Sequence, residues 1–143
     1  MKKRLIAMFL VLVMAACALP ISAFAIDPYT EPSGLRSNET WFRTKNDTYY
    51  IVNKNTNVSQ GDKWGYVACI QDLLNGFYRC TGNTAYYVGD VDSDFGAKTH
   101  SAVLTFQANM GLTSDGIVGW GTWTTFHTRW LADLHGCKLE HVG

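Results

Sequence analysis

The sequence predicts an all-α fold, a compact three-helix bundle with two turn–helix repeats, preceded by a short β-element or extended N-terminal segment. Three observations lead to it. Apolar residues recur at helical spacing in three separate stretches, a turn motif occurs twice, and glycines stand where the second and third helices should stop.

The first stripe is Val67, Ile70, Leu74 and Phe77 in "YVACIQDLLNGF", with Asp62 as the expected N-cap. After Gly96, Thr99, Val103, Phe106 and Met110 fall at spacings of four, three and four, and Gly111 follows as a stop. After Gly119, Trp123, Phe126, Trp130 and Leu134 repeat the stripe until Gly136. Each stripe by itself means a buried face, and three such helices joined by turns make a small bundle. Ahead of them, "DTYYIV" (47–52) is a candidate strand and "NKNTN" a turn.

The repeat pairs "VDSDFGAKTHSAVLTF" (91–106) with "SDGIVGWGTWTTF" (114–126). Asp92 matches Asp115, Gly96 matches Gly119 and Thr99 matches Thr122, each offset by 23 residues, and Gly116 lies inside the second turn. Each copy reads as a turn feeding a helix. The aspartate closes the turn on its own backbone, the glycine caps the helix, and the threonine serves the first helical turn. The alternating Asp90, Asp92 and Asp94 resemble the start of a calcium loop. The sixth position is Phe95 rather than glycine, however, and the twelfth is Ser101 rather than a carboxylate. Asp94-Phe95-Gly96 lacks every companion motif of a kinase.

Residues 1–25 begin Met1-Lys2-Lys3-Arg4, continue apolar, and end in Ala23-Phe24-Ala25, the form of a secretory signal cleaved after Ala25. Lipid attachment at Cys17 is the rival reading. No membrane span is expected, because Pro20 and the cleavage site end the apolar run. Removing Lys2, Lys3 and Arg4 from 12 basic and 12 acidic side chains leaves a net charge of −3, unsuited to nucleic acid. The expected division is therefore signal 1–25, an extension 26–60 with a candidate short strand, a domain 61–136, and a tail 137–143.

The stretches "VACIQDLLNGFY", "VDSDFGAKTHSAVLTFQANMGL" and "SDGIVGWGTWTTF" together resemble the peptidoglycan-binding domain often appended to bacterial cell-wall hydrolases, over about residues 62–134. The matching positions run from Val67, Ile70, Gln71, Leu74 and Asn75 through Asp92, Phe95, Gly96, Thr99 and Gln107 to Asp115, Gly116, Gly119, Thr122 and Trp123. Ser93 stands where that pattern prefers glycine, and Ala97 and Trp120 stand where it has proline. The connection "RCTGNTAYYVGD" is longer than the pattern. The resemblance implies a secreted, wall-located, non-catalytic module whose partner is peptidoglycan, through its glycan strand or stem peptide, with a separate hydrolase as a further candidate partner. A protein-interaction module or a hydrolase accessory is the alternative.

Flat aromatic rings beside amides suit sugars and peptides. Tyr86, Tyr87 and Trp120, placed on loops, are the candidate contacts, with Gln107 and Asn109 as hydrogen-bonding partners. No enzyme, cofactor or metal is expected. Glu31, Glu39 and Glu140 are the only glutamates after the signal, and no nucleophile or zinc-protease motif occurs. His135, Cys137 and His141 cluster in the tail without the second ligand pair that zinc requires. Three cysteines follow the signal. Cys69 and Cys80, eleven residues apart on a helix rising about 1.5 Å per residue, are too distant to pair. Cys80 with Cys137 is the expected disulfide, joining the ends of parallel first and third helices. Cys69 with Cys137 is the alternative if the bundle winds otherwise.

Overall fold

In the computed structural model, which describes residues 32–43 and 48–131, the order is β1 (Glu39–Arg43), β2 (Tyr49–Asn53), α1 (Gly65–Thr81), a 3₁₀ turn (Thr84–Tyr86), α2 (Ala97–Asn109) and α3 (Trp120–Arg129). Three helices stand where the three stripes fall. A two-stranded antiparallel sheet precedes them, so "all-α" is too narrow a description. The expected signal segment, Cys17, the tail and Cys137 lie outside the described residues.

The stripes face inward. Val67, Ile70, Leu74 and Phe77 of α1, Thr99, Val103 and Phe106 of α2, and Trp123, Phe126 and Trp130 at α3 are all buried. The helices meet at a stack of rings, Phe106 on Phe126 at 4.2 Å and Phe77 on Phe106 at 5.4 Å between centroids. Truncating one such phenylalanine to alanine costs about 3–5 kcal/mol, because lost burial and a residual cavity add. α1 ends at Gly82, whose left-handed φ of 71° lets its N–H reach the Tyr78 carbonyl. Asp62 does not cap α1. Trp64 occupies the N-cap position, while the Asp62 carboxylate accepts from the Ser59 N–H at 2.8 Å and closes the preceding turn.

The β-pair is part of the same hydrophobic unit as the helices. Glu39↔Asn53 through Arg43↔Tyr49 are in register. Thr40, Phe42 and Val52 are buried. Phe42 lies 6.1 Å from Trp123 and 5.9 Å edge-on from Trp130, and Trp41 meets Trp130 at 5.0 Å. Two indoles of the α3 stripe donate back to this region, Trp123 Nε1 to the Thr56 carbonyl at 3.1 Å and Trp130 Nε1 to the Arg43 carbonyl at 3.2 Å. From β2 the Tyr50 hydroxyl donates to Asp72 of α1 at 2.8 Å. Burial, reinforced by that carboxylate, raises the phenol's pKa and keeps it a donor. The candidate strand at 47–52 corresponds to β2. β1 has no counterpart among the sequence expectations, because "ETWFR" is short and its three central residues are all buried, so it shows no alternation.

Candidate functional site

The two repeats build the same device. In the first, Gln71 of α1 donates through Nε2 to Asp92 Oδ1 (2.8 Å), the Asp94 carbonyl (3.1 Å) and Thr99 Oγ1 (3.3 Å). Its Oε1 accepts from the Asp92 and Ser93 N–H groups at 3.1 and 3.0 Å. Asp92 Oδ1 also accepts from the Asp94 N–H at 2.9 Å. In the second, Gln107 of α2 donates to Asp115 Oδ1 (3.0 Å), the Ile117 carbonyl (3.0 Å) and Thr122 Oγ1 (3.1 Å). It accepts from the Gly116 N–H at 2.9 Å, and Asp115 Oδ1 accepts from the Ile117 N–H at 2.9 Å. Each glutamine is thus a buried brace between one helix and the turn that starts the next. Gly96 and Gly119 are the N-caps of α2 and α3. Phe95 and Val118, the residues before them, are fully buried pegs.

The threonines serve differently from expectation, as acceptors for a glutamine amide arriving from another helix. The backbone N–H of Asp94, then the Gln71 amide, lowers the Asp92 pKa by stabilising its carboxylate form. Ser93 adopts φ 62° where its counterpart Gly116 has φ 72°, so the first repeat holds a serine in the left-handed region. At Gly116 a β-carbon would also lie 2.1 Å from His100 Nε2.

The five candidate contact residues divide. Tyr86 is 4% exposed, inside the core, and its hydroxyl accepts from Asn109 Nδ2 at 2.7 Å. Gln107 is 1% exposed and its amide is committed to the second turn. Asn109 is exposed but serves Tyr86. Tyr87 and Trp120 are the two with exposed rings, 46% and 49%. Tyr87 rests on Tyr78 at 5.0 Å, with Lys98 Nζ 4.8 Å from its centroid. Trp120 opens α3, with Lys54 Nζ 4.4 Å from its ring centroid.

Trp120 borders a concavity. A cleft of about 340 Å³ is lined by Asn57, Leu112, Thr113, Ile117, Gly119 and Trp120, among others, and by the brace residues Gln107, Asp115 and Thr122. Its one carboxylate, Asp115, is engaged by Gln107 and the Ile117 N–H. Ile117 is 41% exposed beside the indole. The cleft therefore offers an aromatic face, an aliphatic wall and threonine and amide groups at its rim.

Residues 67–125 match the family described as "Putative peptidoglycan binding domain". This stretch of the chain is a domain of that family. The matched span of the peptidoglycan-binding domain contains α1 from Val67 onward, all of α2, both glutamine braces and Trp120, and it excludes the β-pair and residues 54–66. Among solved structures, a peptidoglycan-binding protein from Clostridioides difficile, in complex with glutamine hydroxamate, aligns over 73% of this chain and 70% of its own, with 23% identity and a TM-score of 0.48. The SleB N-terminal domain aligns over 50% of this chain and 89% of its own, with 32% identity and a TM-score of 0.42.

Sequence reasoning placed Asn75 in the matching pattern without giving it a role, and it gave none to Lys54 or Asn57. Asn75 pins the long first connection, donating to the Gly89 carbonyl at 2.8 Å and accepting from the Val88 N–H at 3.0 Å. Its signal was present as the final asparagine of "QDLLN". Lys54 and Asn57 carry no such signal, since they reach the cleft from outside the matched domain. Cys69 is buried and free, and burial drives its thiol pKa well up. Cys80 is not a free thiol.

Proposed function

We propose that the protein is a secreted, non-catalytic module that binds bacterial cell-wall peptidoglycan at the Trp120 cleft. The observation that carries this reading is a half-exposed indole at the mouth of a concavity within a peptidoglycan-binding domain. An indole face stacks on the apolar face of a sugar, and polar rim groups meet its hydroxyls and amides. The leader-like residues 1–25 support export. In an oxidising compartment Cys80 pairs with Cys137, which peptide mapping without reduction would show directly.

The deciding experiment is retention on purified sacculi at moderate salt, for the wild type and Trp120→Ala. Trp120→Ala should lose most of its retention while its melting temperature moves by no more than about 2–3 °C, since the ring is half in solvent. A folded wild type that is not retained would reject wall binding. A melting temperature lowered by more than about 8 °C would make Trp120 a core residue instead.

A further inference from the structure

The extension ahead of the matched domain contributes Asn57 to the lining of the cleft and sets Lys54 over the Trp120 ring at its edge, and a run of hydrogen bonds holds the segment that carries both. Lys54 and Asn55 form the turn after β2. The Lys54 N–H donates to the Asn38 carbonyl at 2.7 Å, and the Thr56 N–H to the Asn53 carbonyl at 3.0 Å. The Asn53 side chain accepts from Asn38 Nδ2 at 3.1 Å and from the Asn55 N–H at 2.9 Å. Tyr66 Oη, in α1, accepts from the Asn53 N–H at 3.0 Å. Val58 then bridges Val118 through both backbone hydrogen bonds, 3.1 and 2.8 Å. Between these two anchors Asn57 crosses the start of α3. Its Oδ1 lies 2.7 Å from where a Gly119 β-carbon would be, so the bare glycine leaves room for the Asn57 amide in this position. Lys54 is thereby set over the Trp120 ring, and no carboxylate pairs with it among the described residues.

A lysine held on an indole loses part of its hydration and keeps its charge unmatched. The cleft beside it takes a polymer in which short peptides bearing carboxylates branch from sugars. From this placement we infer that Lys54 is a specificity-determining residue, and that it pairs with a stem-peptide carboxylate while Trp120 holds the adjoining sugar. The inference rests on the wall-binding reading and adds the charge it selects. The Tyr87–Lys98 pair is the internal comparison, since it has a similar ring and lysine, but its ring, unlike Trp120, is not part of this cleft's lining.

The test measures binding of the full chain to intact sacculi and to sacculi whose carboxylates have been amidated. It compares wild type, Lys54→Met, Lys54→Arg and Lys98→Met, each checked for an unchanged melting curve. Wild type should lose about fivefold in affinity on amidation, the scale of one half-exposed charge pair. Lys54→Met should show the same loss on intact sacculi and no further loss on amidated ones. Lys54→Arg should retain most of the preference, and Lys98→Met should behave as wild type. Equal binding of wild type and Lys54→Met to intact sacculi would overturn the role of Lys54 while leaving wall binding standing. Failure of wild type to bind either preparation would overturn both. Should Lys54→Met alter the melting curve, the amidation dependence of Lys54→Arg and wild type still decides.

Discussion

Gln107→Met tests the brace on which the candidate cleft depends. Methionine fills a similar volume, so lost packing contributes little and the amide's hydrogen bonds dominate. Four contacts disappear, to Asp115, Ile117, Thr122 and the Gly116 N–H. They do not weigh equally. Asp115 keeps the Ile117 N–H at 2.9 Å, and the Thr122 hydroxyl can still turn to the Ile117 carbonyl at 3.5 Å. The Gly116 N–H is buried and is left with a thioether in place of a carbonyl. An orphaned buried donor costs about 1–3 kcal/mol, and a neutral bond lost elsewhere about 0.5–1.5 kcal/mol. The expected destabilisation is thus about 2–4 kcal/mol, a fall in melting temperature on the order of 10–20 °C for a unit near 100 residues. Urea denaturation followed by tryptophan fluorescence reads it, and sacculus affinity at low temperature should weaken too, because Gln107 also lines the cleft. A loss below about 1 kcal/mol would show that the turn holds its shape without the brace.

The other tests use the differences between repeats and the attachment of the β-pair. Gly116→Ala should cost about 2 kcal/mol or more, since a left-handed alanine is strained and its methyl meets His100; adding His100→Ala should recover only the steric part. Ser93→Gly at the equivalent position should cost nothing and should stabilise by up to about 1 kcal/mol in thermal melts, relief of φ strain being partly offset by backbone entropy. Asp92 has a folded-state pKa below its ordinary 3.8, so its contribution is present above that value and is lost as pH falls through the lower, folded one. Stability measured from pH 5 downward should therefore decline less steeply in Asp92→Asn than in wild type. Phe42→Ala should cost about 3–5 kcal/mol by chemical denaturation, as a core substitution; a cost under 1 kcal/mol would make the β-pair an appendage.

The helices were legible because helical spacing is a local property: Val67 to Phe77, Thr99 to Phe106 and Trp123 to Trp130 each declare a buried face without reference to any other segment. The twin turns were legible for the same reason, an aspartate and its turn lying within a few residues of each other. The glutamine braces were not. Gln71 precedes Asp92 by 21 residues and Gln107 precedes Asp115 by 8, so a fixed repeat offset cannot align them. Only the folded chain shows that the long first connection, pinned by Asn75, returns its turn to the same place on the preceding helix. Likewise, which aromatic rings face solvent was decided by tertiary packing. Tyr86 and Tyr87 are neighbours in a loop, yet one is buried against Phe106 and the other rests exposed on Tyr78. The sequence by itself determined the helices, the turns and the family. Tertiary structure alone decided that Asn57 joins the 107–122 residues lining the cleft and that Lys54 lies over Trp120, because contacts between residues so far apart in the chain leave no local pattern to read.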